Sequence, residues 1–437
     1  MNRDRGLRAG IVVLLILTGC AKNKTLDVEG AYSPVIENLS SDYAPAVRGE
    51  VNALTAVVTN PRSYTLKFHW SAGAGTLLDS TMETVHWTAP DVIGVYPVTV
   101  SVEATDSKNS TSFFKTRTFQ VAVDNEFERW TRSVALQLDV VPPTAGRIYY
   151  TEILNPSTGQ SDIWAVASPL GAPEQITRTF FQATSPTAQS DGSRVAFVGR
   201  RRSSDTGSSI WLVPPTGGDT ITALLAVKFD SNKNANLSGP RFAPSGSRLL
   251  YDTDSVSFGV PRPWVRDVGN FATAPIQILL YVGAEGGNAY VNAAWSGAGD
   301  SIVAESYRFY RTISQTNRGL YRLSATSNPV TPYPQWLADG AATEPDWSPD
   351  GEHVVYVKRV QGRTDRDVWI IRSDATSPSA AVLVTSGPAD DFHPRFSSDG
   401  SKIFFVSNRA DYYGVNGVYG IEQRGTNIWS VSGFDLP

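Results

Sequence analysis

A short turn motif recurs through most of this chain at intervals of about 50 residues. The turns read PPTAG, QSDGS, APSGS, SGAGD, SPDGE and SSDGS. An apolar residue that begins a strand follows each turn: Ile148, Val195, Leu249, Ile302, Val354, Ile403. Another apolar residue stands seven positions earlier: Val141, Ala188, Phe242, Trp295, Trp347, Phe396. Each copy therefore predicts a β-hairpin, and a repeat of this length indicates units that bury their apolar faces only by stacking on one another.

A third strand with an aromatic residue follows in every copy: Trp164, Trp211, Trp264, Tyr321, Trp369, Trp429. Six such copies over residues 125–437 predict a six-bladed β-propeller. The segments PDWSPDGEHVVYV and PRFSSDGSKIFFV resemble the repeat of TolB-like propellers, and the resemblance spans about 300 residues. The first copy departs from it, with Thr144-Ala145 at the turn. The amino-terminal α/β domain of TolB has no counterpart here, so the resemblance does not imply a role in the Tol–Pal system.

Closure of the ring is predicted to use both ends of the propeller segment. The last copy supplies a hairpin and a third strand but no fourth strand. The alternating segment SVALQL, residues 133–138, precedes the first copy. We expect it to pair with the strand at 428–432, because closing a ring covers strand edges that otherwise invite aggregation.

Residues 31–124 show a different pattern, with short alternating strands such as VNALTAVV, TLKFHWSA and YPVTVSVEAT separated by turn residues. This pattern predicts a β-sandwich with Trp70 and Tyr96 in its core and His69 and His86 on its surface. The segment resembles bacterial PKD or Ig-like modules, which implies a spacer. The predicted fold class is therefore all-β, an Ig-like β-sandwich followed by a six-bladed β-propeller.

The amino terminus has the parts of a secretory signal: the basic segment MNRDRGLR, an apolar run that is too short to span a membrane, and small residues before Cys20. Leu17-Thr-Gly-Cys20 resembles the bacterial lipobox. That resemblance implies a lipoprotein signal peptide at 1–19, acylation of Cys20 and a tether at 20–30. By the sorting rule of that family, Ala21 implies a lipid-anchored outer-membrane protein that faces either the periplasm or the cell surface.

Composition and motifs exclude several classes of function. The net charge of −4 gives no electrostatic case for nucleic-acid binding. One Cys and four His disfavour a thiolate cluster or a zinc site. No G-x-S-x-G elbow in a strand–turn–helix context, P-loop or H-E-x-x-H motif is present. We therefore expect no catalytic residues and no cofactor.

One acidic cluster is predicted near a mouth of the propeller channel, because connectors between repeats meet there. Its members are Asp339, Glu344, Asp346, Asp390, Asp391 and His393. Converging carboxylates suit Ca²⁺, and a lyase or hydrolase using them is one alternative function. Such acids more often cap turns and bond backbone amides between blades, so no metal is assigned.

The loops between second and third strands hold the candidate partner-binding residues. These are Arg200, Arg201, Arg202, Arg308, Tyr310, Arg311, Arg359, Arg363, Tyr412 and Tyr413. Three of the four loops are basic in an acidic protein, and long loops on a rigid scaffold are common binding sites. The alternative to a binding role is that these charges are solvated and keep a β-rich surface soluble. The pattern favours a protein partner in a cell-envelope assembly, with a surface glycan or polymer as the other class of ligand.

Overall fold

The computed structural model describes most of the chain. The described residues are 10–12, 33–41, 45–60, 62–108, 110–205, 207–218, 222–225, 237–253, 261–269, 275–278, 288–308, 319–325, 335–338, 342–359, 364–387, 389–409 and 425–437. Their regular elements are strands, apart from a 3₁₀ helix at Pro378–Ala380, so the all-β prediction is confirmed. None of the helices found among these residues has the length and apolar character needed to cross a membrane.

The described chain separates into two compact units. The first consists of Met1–Glu126, Thr385–Pro388 and Arg409–Glu422, and the second of Phe127–Val384, Ala389–Asn408 and Gln423–Pro437. The strands of the first unit are β1 (Gly10–Val12), β2 (Val35–Ser41), β3 (Ala46–Val47), β4 (Val51–Thr59), β5 (Thr65–Ala72), β6 (Thr76–Leu78), β7 (Thr84–Thr88), β8 (Gly94–Asp106) and β9 (Thr111–Asp124). They form two sheets, with strand orders β1-β2-β4-β7-β6 and β3-β9-β8-β5.

Both sheets of the first unit contribute alternate apolar residues to one core. Trp70 and Trp87 are buried, and their indole N–H groups donate to the carbonyl oxygens of Met82 and Ala74, at 2.8 and 3.0 Å. Tyr96 is half-buried against the same core. The predicted core position of Trp70 is therefore confirmed, and Tyr96 lies at the core's edge.

His69 and His86 alternate with core residues along their strands. Both imidazoles are exposed, as the period-two pattern predicts.

The second unit contains the repeats. Its strands are β10 (Phe127–Arg129), β11 (Leu136–Thr144), β12 (Arg147–Asn155), β13 (Gln160–Val166), β14 (Glu174–Gln175), β15 (Gln182–Ala188), β16 (Val195–Arg200), β17 (Ser209–Val213), β18 (Thr222–Leu225), β19 (Leu237–Phe242), β20 (Arg248–Thr253), β21 (Arg262–Asp267), β22 (Ile276–Gln277), β23 (Asn288–Trp295), β24 (Ser301–Arg308), β25 (Gly319–Ser324), β26 (Gln335–Ala338), β27 (Ala342–Trp347), β28 (His353–Arg359), β29 (Arg366–Arg372), β30 (Val382–Leu383), β31 (Asp391–Phe396), β32 (Lys402–Ser407) and β33 (Asn427–Ser432).

Within the described residues these strands form six antiparallel groups of four, and the first two groups are joined into one sheet by a parallel pairing of Ser161 with Gln182. The first strands of the hairpins, β11, β15, β19, β23, β27 and β31, each contact the next, and β31 contacts β11. A ring of sheets with neighbouring inner strands is a β-propeller, so the predicted propeller fold is confirmed. The "loop face" is the end at which β16 and β28 end, and the "hairpin face" is the end that holds the turns 189–193 and 348–352.

The hairpin register follows the repeat. Phe242 is paired with Leu249, Trp347 with Val354, and Phe396 with Ile403, each seven residues apart. The first copy differs, because Val141 is paired with Tyr149 rather than with Ile148. Two prolines at its turn, Pro142 and Pro143, cannot donate to the ladder, and a register shift occurs there.

The prediction for ring closure was wrong in its residues. Strand β10, not segment 133–138, pairs with β33: Phe127 lies opposite Val431, and Arg129 opposite Trp429. Residues from Leu136 onward instead begin β11 and pair with β12. The ring still closes with a strand that precedes the first repeat, and Lys402 reinforces it by donating to Glu128 at 2.9 Å.

Every inner strand has the same irregularity. A register shift occurs where one residue takes a left-handed conformation with φ between 50° and 56°: Asp139, Ser185, Gly239, Asn292, Glu344, His393. Such β-bulges re-aim a side chain out of the alternation of the strand. We call these six positions the bulge ring.

Candidate functional site

Three members of the bulge ring lie together. Nδ1 of His393 is 3.6 Å from Oδ1 of Asp139 and 3.7 Å from Oε2 of Glu344. The backbone N–H of His393 also donates to Oε2 of Glu344 at 2.7 Å. The sixth repeat is thereby joined to the first and the fifth through one imidazole.

Arg366 extends this cluster toward the loop face. Its Nε and Nη2 donate to the two oxygens of Asp390 at 2.9 and 2.8 Å, and its Nη1 donates to Oε1 of Glu344 at 3.0 Å. The guanidinium lies over the ring of Phe392, 4.4 Å from its centroid. Burial lowers the pKa of Arg366, but the hydrogen bond with Asp390 and the charge of Glu344 outweigh it and raise the pKa. The group is therefore a fixed cation.

Two other predicted acids, Asp346 and Asp391, also form hydrogen bonds. Asp346 accepts the backbone N–H of Phe396 at 3.0 Å. Burial raises the pKa of Asp346 to about 7, although the charge of Arg241 and the N–H bonds lower it. Asp391 is fully buried and accepts the hydroxyl of Ser407. Asp339 lies outside the described residues.

The same linkage recurs between other repeats. The backbone N–H of Ser185 donates to Asp139 at 3.1 Å, and that of Asn292 donates to Asp252 at 2.9 Å. The Asn292 side chain donates to Glu305 at 3.0 Å. Three bulged residues, Ser185, Asn292 and His393, thus donate a backbone N–H to a carboxylate of the preceding repeat, so these bonds position the repeats.

Sequence reasoning did not select Asp139, Arg366 or Glu305. In repeats two to six, the bulged residue stands three positions before the end of the inner strand. When repeats two to six are aligned, this position holds four polar residues and one glycine. The alignment of the repeats therefore contains a signal for these members of the bulge ring. Arg366 has no such signal, because its partners come from two separate connectors.

The loop-face residues lie at the ends of second strands. Arg201 is exposed, and its guanidinium carbon is 4.6 Å from the ring centroid of Trp211 and 5.0 Å from that of Phe180. Arg200 donates from Nε to Gln182 at 2.8 Å and is half-buried.

The remaining predicted binding residues contribute less to the described site. Arg202 and Arg359 are exposed, and Arg308 is described only as the end of β24. Those outside the described residues are Tyr310, Arg311, Arg363, Tyr412 and Tyr413. The parts of the site with described side-chain contacts are therefore Arg200 on Gln182 and the stack of Arg201 on two aromatic rings.

Comparison with known proteins gives a likeness of fold. No protein-family model matches the chain, and no curated protein matches its sequence. Among solved structures, TolB from Acinetobacter baumannii is 13% identical, with a TM-score of 0.44 over 83% of this chain and 80% of that one. An oligogalacturonate lyase from Vibrio parahaemolyticus is 11% identical, with a TM-score of 0.43 over 92% and 98%. An auxiliary nutrient binding protein from Bacteroides thetaiotaomicron is 9% identical, with a TM-score of 0.45 over 92% and 97%. A likeness this weak assigns no function.

Proposed function

We propose that this protein is a non-catalytic lipoprotein of the outer membrane whose six-bladed propeller binds a protein partner in a cell-envelope assembly. The binding surface is the loop face, and the Ig-like sandwich acts as a spacer from the lipid anchor. The observation that carries the proposal is the exposed guanidinium of Arg201, held on Trp211 and Phe180. Arginine and aromatic side chains are enriched at the centres of protein interfaces.

The stack of Arg201 favours binding because it orders the cation before a partner arrives. A free arginine side chain loses about 2 kcal/mol of rotamer freedom when it is fixed. Contacts of Arg201 with two rings remove part of that cost in advance. The planar group keeps its N–H edge for the carboxylates of an acidic partner.

The state of the acidic groups supports a binding role over catalysis. A general acid or base needs an oxygen that is within reach of a substrate proton. Glu344 and Asp390 instead share Arg366, and Asp391 is bonded to Ser407 with no exposed surface. These bonds give the acids a structural use.

We predict that charge reversal on the loop face weakens partner capture. The double change Arg201→Glu with Arg202→Glu places two negative charges where the partner's acidic groups would dock, so recovery of the partner in a pull-down should fall at least about tenfold. The interaction of the wild-type protein with its partner should weaken as the salt concentration rises, because the Debye screening length shortens to about 8–10 Å at about 0.1–0.15 M salt.

The matched control is Arg194→Glu, an exposed arginine on the hairpin face of the same repeat. It should leave capture unchanged. Loss of the stack removes about 0.5–1 kcal/mol from stability, so melting temperatures are recorded alongside, and Arg202→Glu alone separates charge from stacking. Wild-type capture by the double variant would reject the loop face. If the double variant still bound a surface polymer and Trp211→Ala did not, the result would instead indicate the glycan alternative.

We also predict that Cys20→Ser abolishes lipidation. The variant should remain unprocessed or appear in the soluble fraction. Burial of each acyl methylene in the bilayer contributes about 0.8 kcal/mol to membrane binding, and no other anchor is proposed. Cys20 lies outside the described residues. Metabolic labelling with a clickable fatty acid gives the readout, and a variant that still partitions into outer-membrane fractions would refute the anchor. Cleavage before Cys20 would also remove β1 and leave β2 as the edge of its sheet.

A further inference from the structure

The hairpin of the fifth repeat groups three potential metal ligands on the hairpin face. A carboxylate oxygen of Asp350, one of Glu352 and a ring nitrogen of His353 all lie within 4.8 Å of one another. Both acids are exposed, whereas only 5% of the His353 surface is accessible. No motif in the sequence marks these residues as ligands.

His353 is an unsatisfied polar group. Its Nε2 is buried and has no hydrogen-bond partner, although its backbone N–H donates to the hydroxyl of Ser348 at 2.9 Å. A buried polar atom without a partner costs about 1–3 kcal/mol, and each such case calls for a cause. A role for the imidazole in binding an ion is one such cause.

Three other repeats place a paired cation at this position, the first residue of the second strand, whereas the second and fourth repeats have Val195 and Ser301 there. Arg147 donates to Glu174 at 2.7 Å, Arg248 to the carbonyl of Gly299 at 2.7 Å, and Lys402 to Glu128 at 2.9 Å. His353 is shorter than these side chains, and its unpaired nitrogen lacks an equivalent bond. In place of the paired cation of those three repeats, the fifth repeat therefore has a buried imidazole with a ring nitrogen close to two carboxylates.

We propose that Asp350, Glu352 and His353 bind a divalent transition-metal ion, for which Zn²⁺ is the probe. Neutral imidazole and carboxylate are ligands that Zn²⁺ accepts at about 2.0–2.2 Å, so ligand atoms around one ion lie within about 4 Å of one another. The observed grouping needs only small rotations of the two exposed carboxylates. One oxygen of Asp350 already accepts the hydroxyl of Ser348 and the N–H of Glu352, which leaves its other oxygen for the ion.

The test is calorimetric titration of the full chain with Zn²⁺ after treatment with EDTA. We expect one site that depends on these residues, with affinity reduced at least about tenfold in Glu352→Gln and in Asp350→Asn, because each loses one of three ligands. Zn²⁺ should raise the melting temperature of the wild type more than that of Glu352→Gln.

The matched control is Asp399→Asn in the sixth repeat. Asp399 accepts the same type of turn hydrogen bonds as Asp350, but Ser401 and Lys402 stand where Glu352 and His353 stand in the fifth repeat. This variant should bind Zn²⁺ as the wild type does. Because His353 is buried, replacing it would change the folding as well as the binding, so the exposed acids carry the test. Unchanged Zn²⁺ affinity in both acid variants would mean an adventitious ion only and would overturn the site.

Discussion

Replacement of Trp130 with alanine is expected to lower the free energy of unfolding of the second unit by about 3–5 kcal/mol, the usual cost of deleting a large buried aromatic side chain. Trp130 follows β10, and its backbone N–H donates to the carbonyl of Ile428 at 2.8 Å. Its indole donates to the hydroxyl of Ser430 at 3.1 Å, and its ring lies 5.3 Å from that of Phe404. The change therefore removes packing at the place where the ring closes.

Chemical denaturation followed by tryptophan fluorescence and circular dichroism measures this effect. Trp336→Ala is the matched control, because Trp336 lies on the outer strand β26 with 43% of its surface exposed and should cost little. Limited proteolysis should cut the Trp130 variant first between residues 127 and 135. Equal stability of the two variants would show that the pairing of β10 with β33 contributes little to the fold.

Replacement of Asp252 with asparagine is expected to stabilise the protein at pH 8 by about 2–4 kcal/mol. Asp252 is 1% exposed, its Oδ2 accepts the N–H of Asn292, and its Oδ1 has no partner. Burial raises the pKa of this carboxyl to about 7, while the Asn292 bond and the charge of Arg241 lower it. Asparagine keeps an acceptor for Asn292 and removes the buried charge.

The sign of this effect depends on pH. The folded state holds the Asp252 proton more tightly than the unfolded chain does. Its contribution to stability is therefore fully present below about pH 4 and is lost as the pH rises to about 7. The gain from Asp252→Asn should accordingly appear between pH 5 and 8 in thermal melts and be small at pH 4.

Asp399→Asn should show the opposite sign. The hydroxyl of Ser397 is the main cause that lowers the pKa of Asp399, to about 2, so its charged form is favoured in the folded state. That substitution should destabilise the protein at neutral pH, and the loss should fade as the pH approaches 2. A lower melting temperature for Asp252→Asn than for wild type at pH 8 would contradict the buried-charge argument.

The hairpins were predictable because turn chemistry and apolar spacing are local. Phe242, Trp347 and Phe396 are paired with the residues seven positions later, since a five-residue turn region between two alternating strands fixes the register. The all-β class follows from the same pattern. Tyr96 was placed too deep because alternation gives the face of a side chain but not its distance from the edge of a sheet.

The closing strand and the bulge ring were not predictable in the same way. Strand β10 has three residues, too few to show a period of two, whereas 133–138 shows the alternation of an inner strand. A bulge breaks the period of two along a strand. The side chains of Asp139, Glu344 and His393 therefore come together although simple alternation does not predict it. The aromatic stack of Arg201 joins residues from separate strands, and spacing alone does not bring them together.

Pairing of β10 with β33 also sets the order of events while the chain is being made. Glu128 is synthesised about 300 residues before Ser430, which lies opposite it in the pairing. At a synthesis rate of about 5–20 residues per second, this delay is about 15–60 s. Hairpins such as β27–β28 need only local contacts and can form in the meantime, but Trp130 lacks its contacts with Phe404, Ile428 and Ser430 until the last repeat has been made. A nascent chain halted before Asn427 would carry every repeat's hairpin and still be an open arc, with an unpaired strand edge available to chaperones or to another copy of itself.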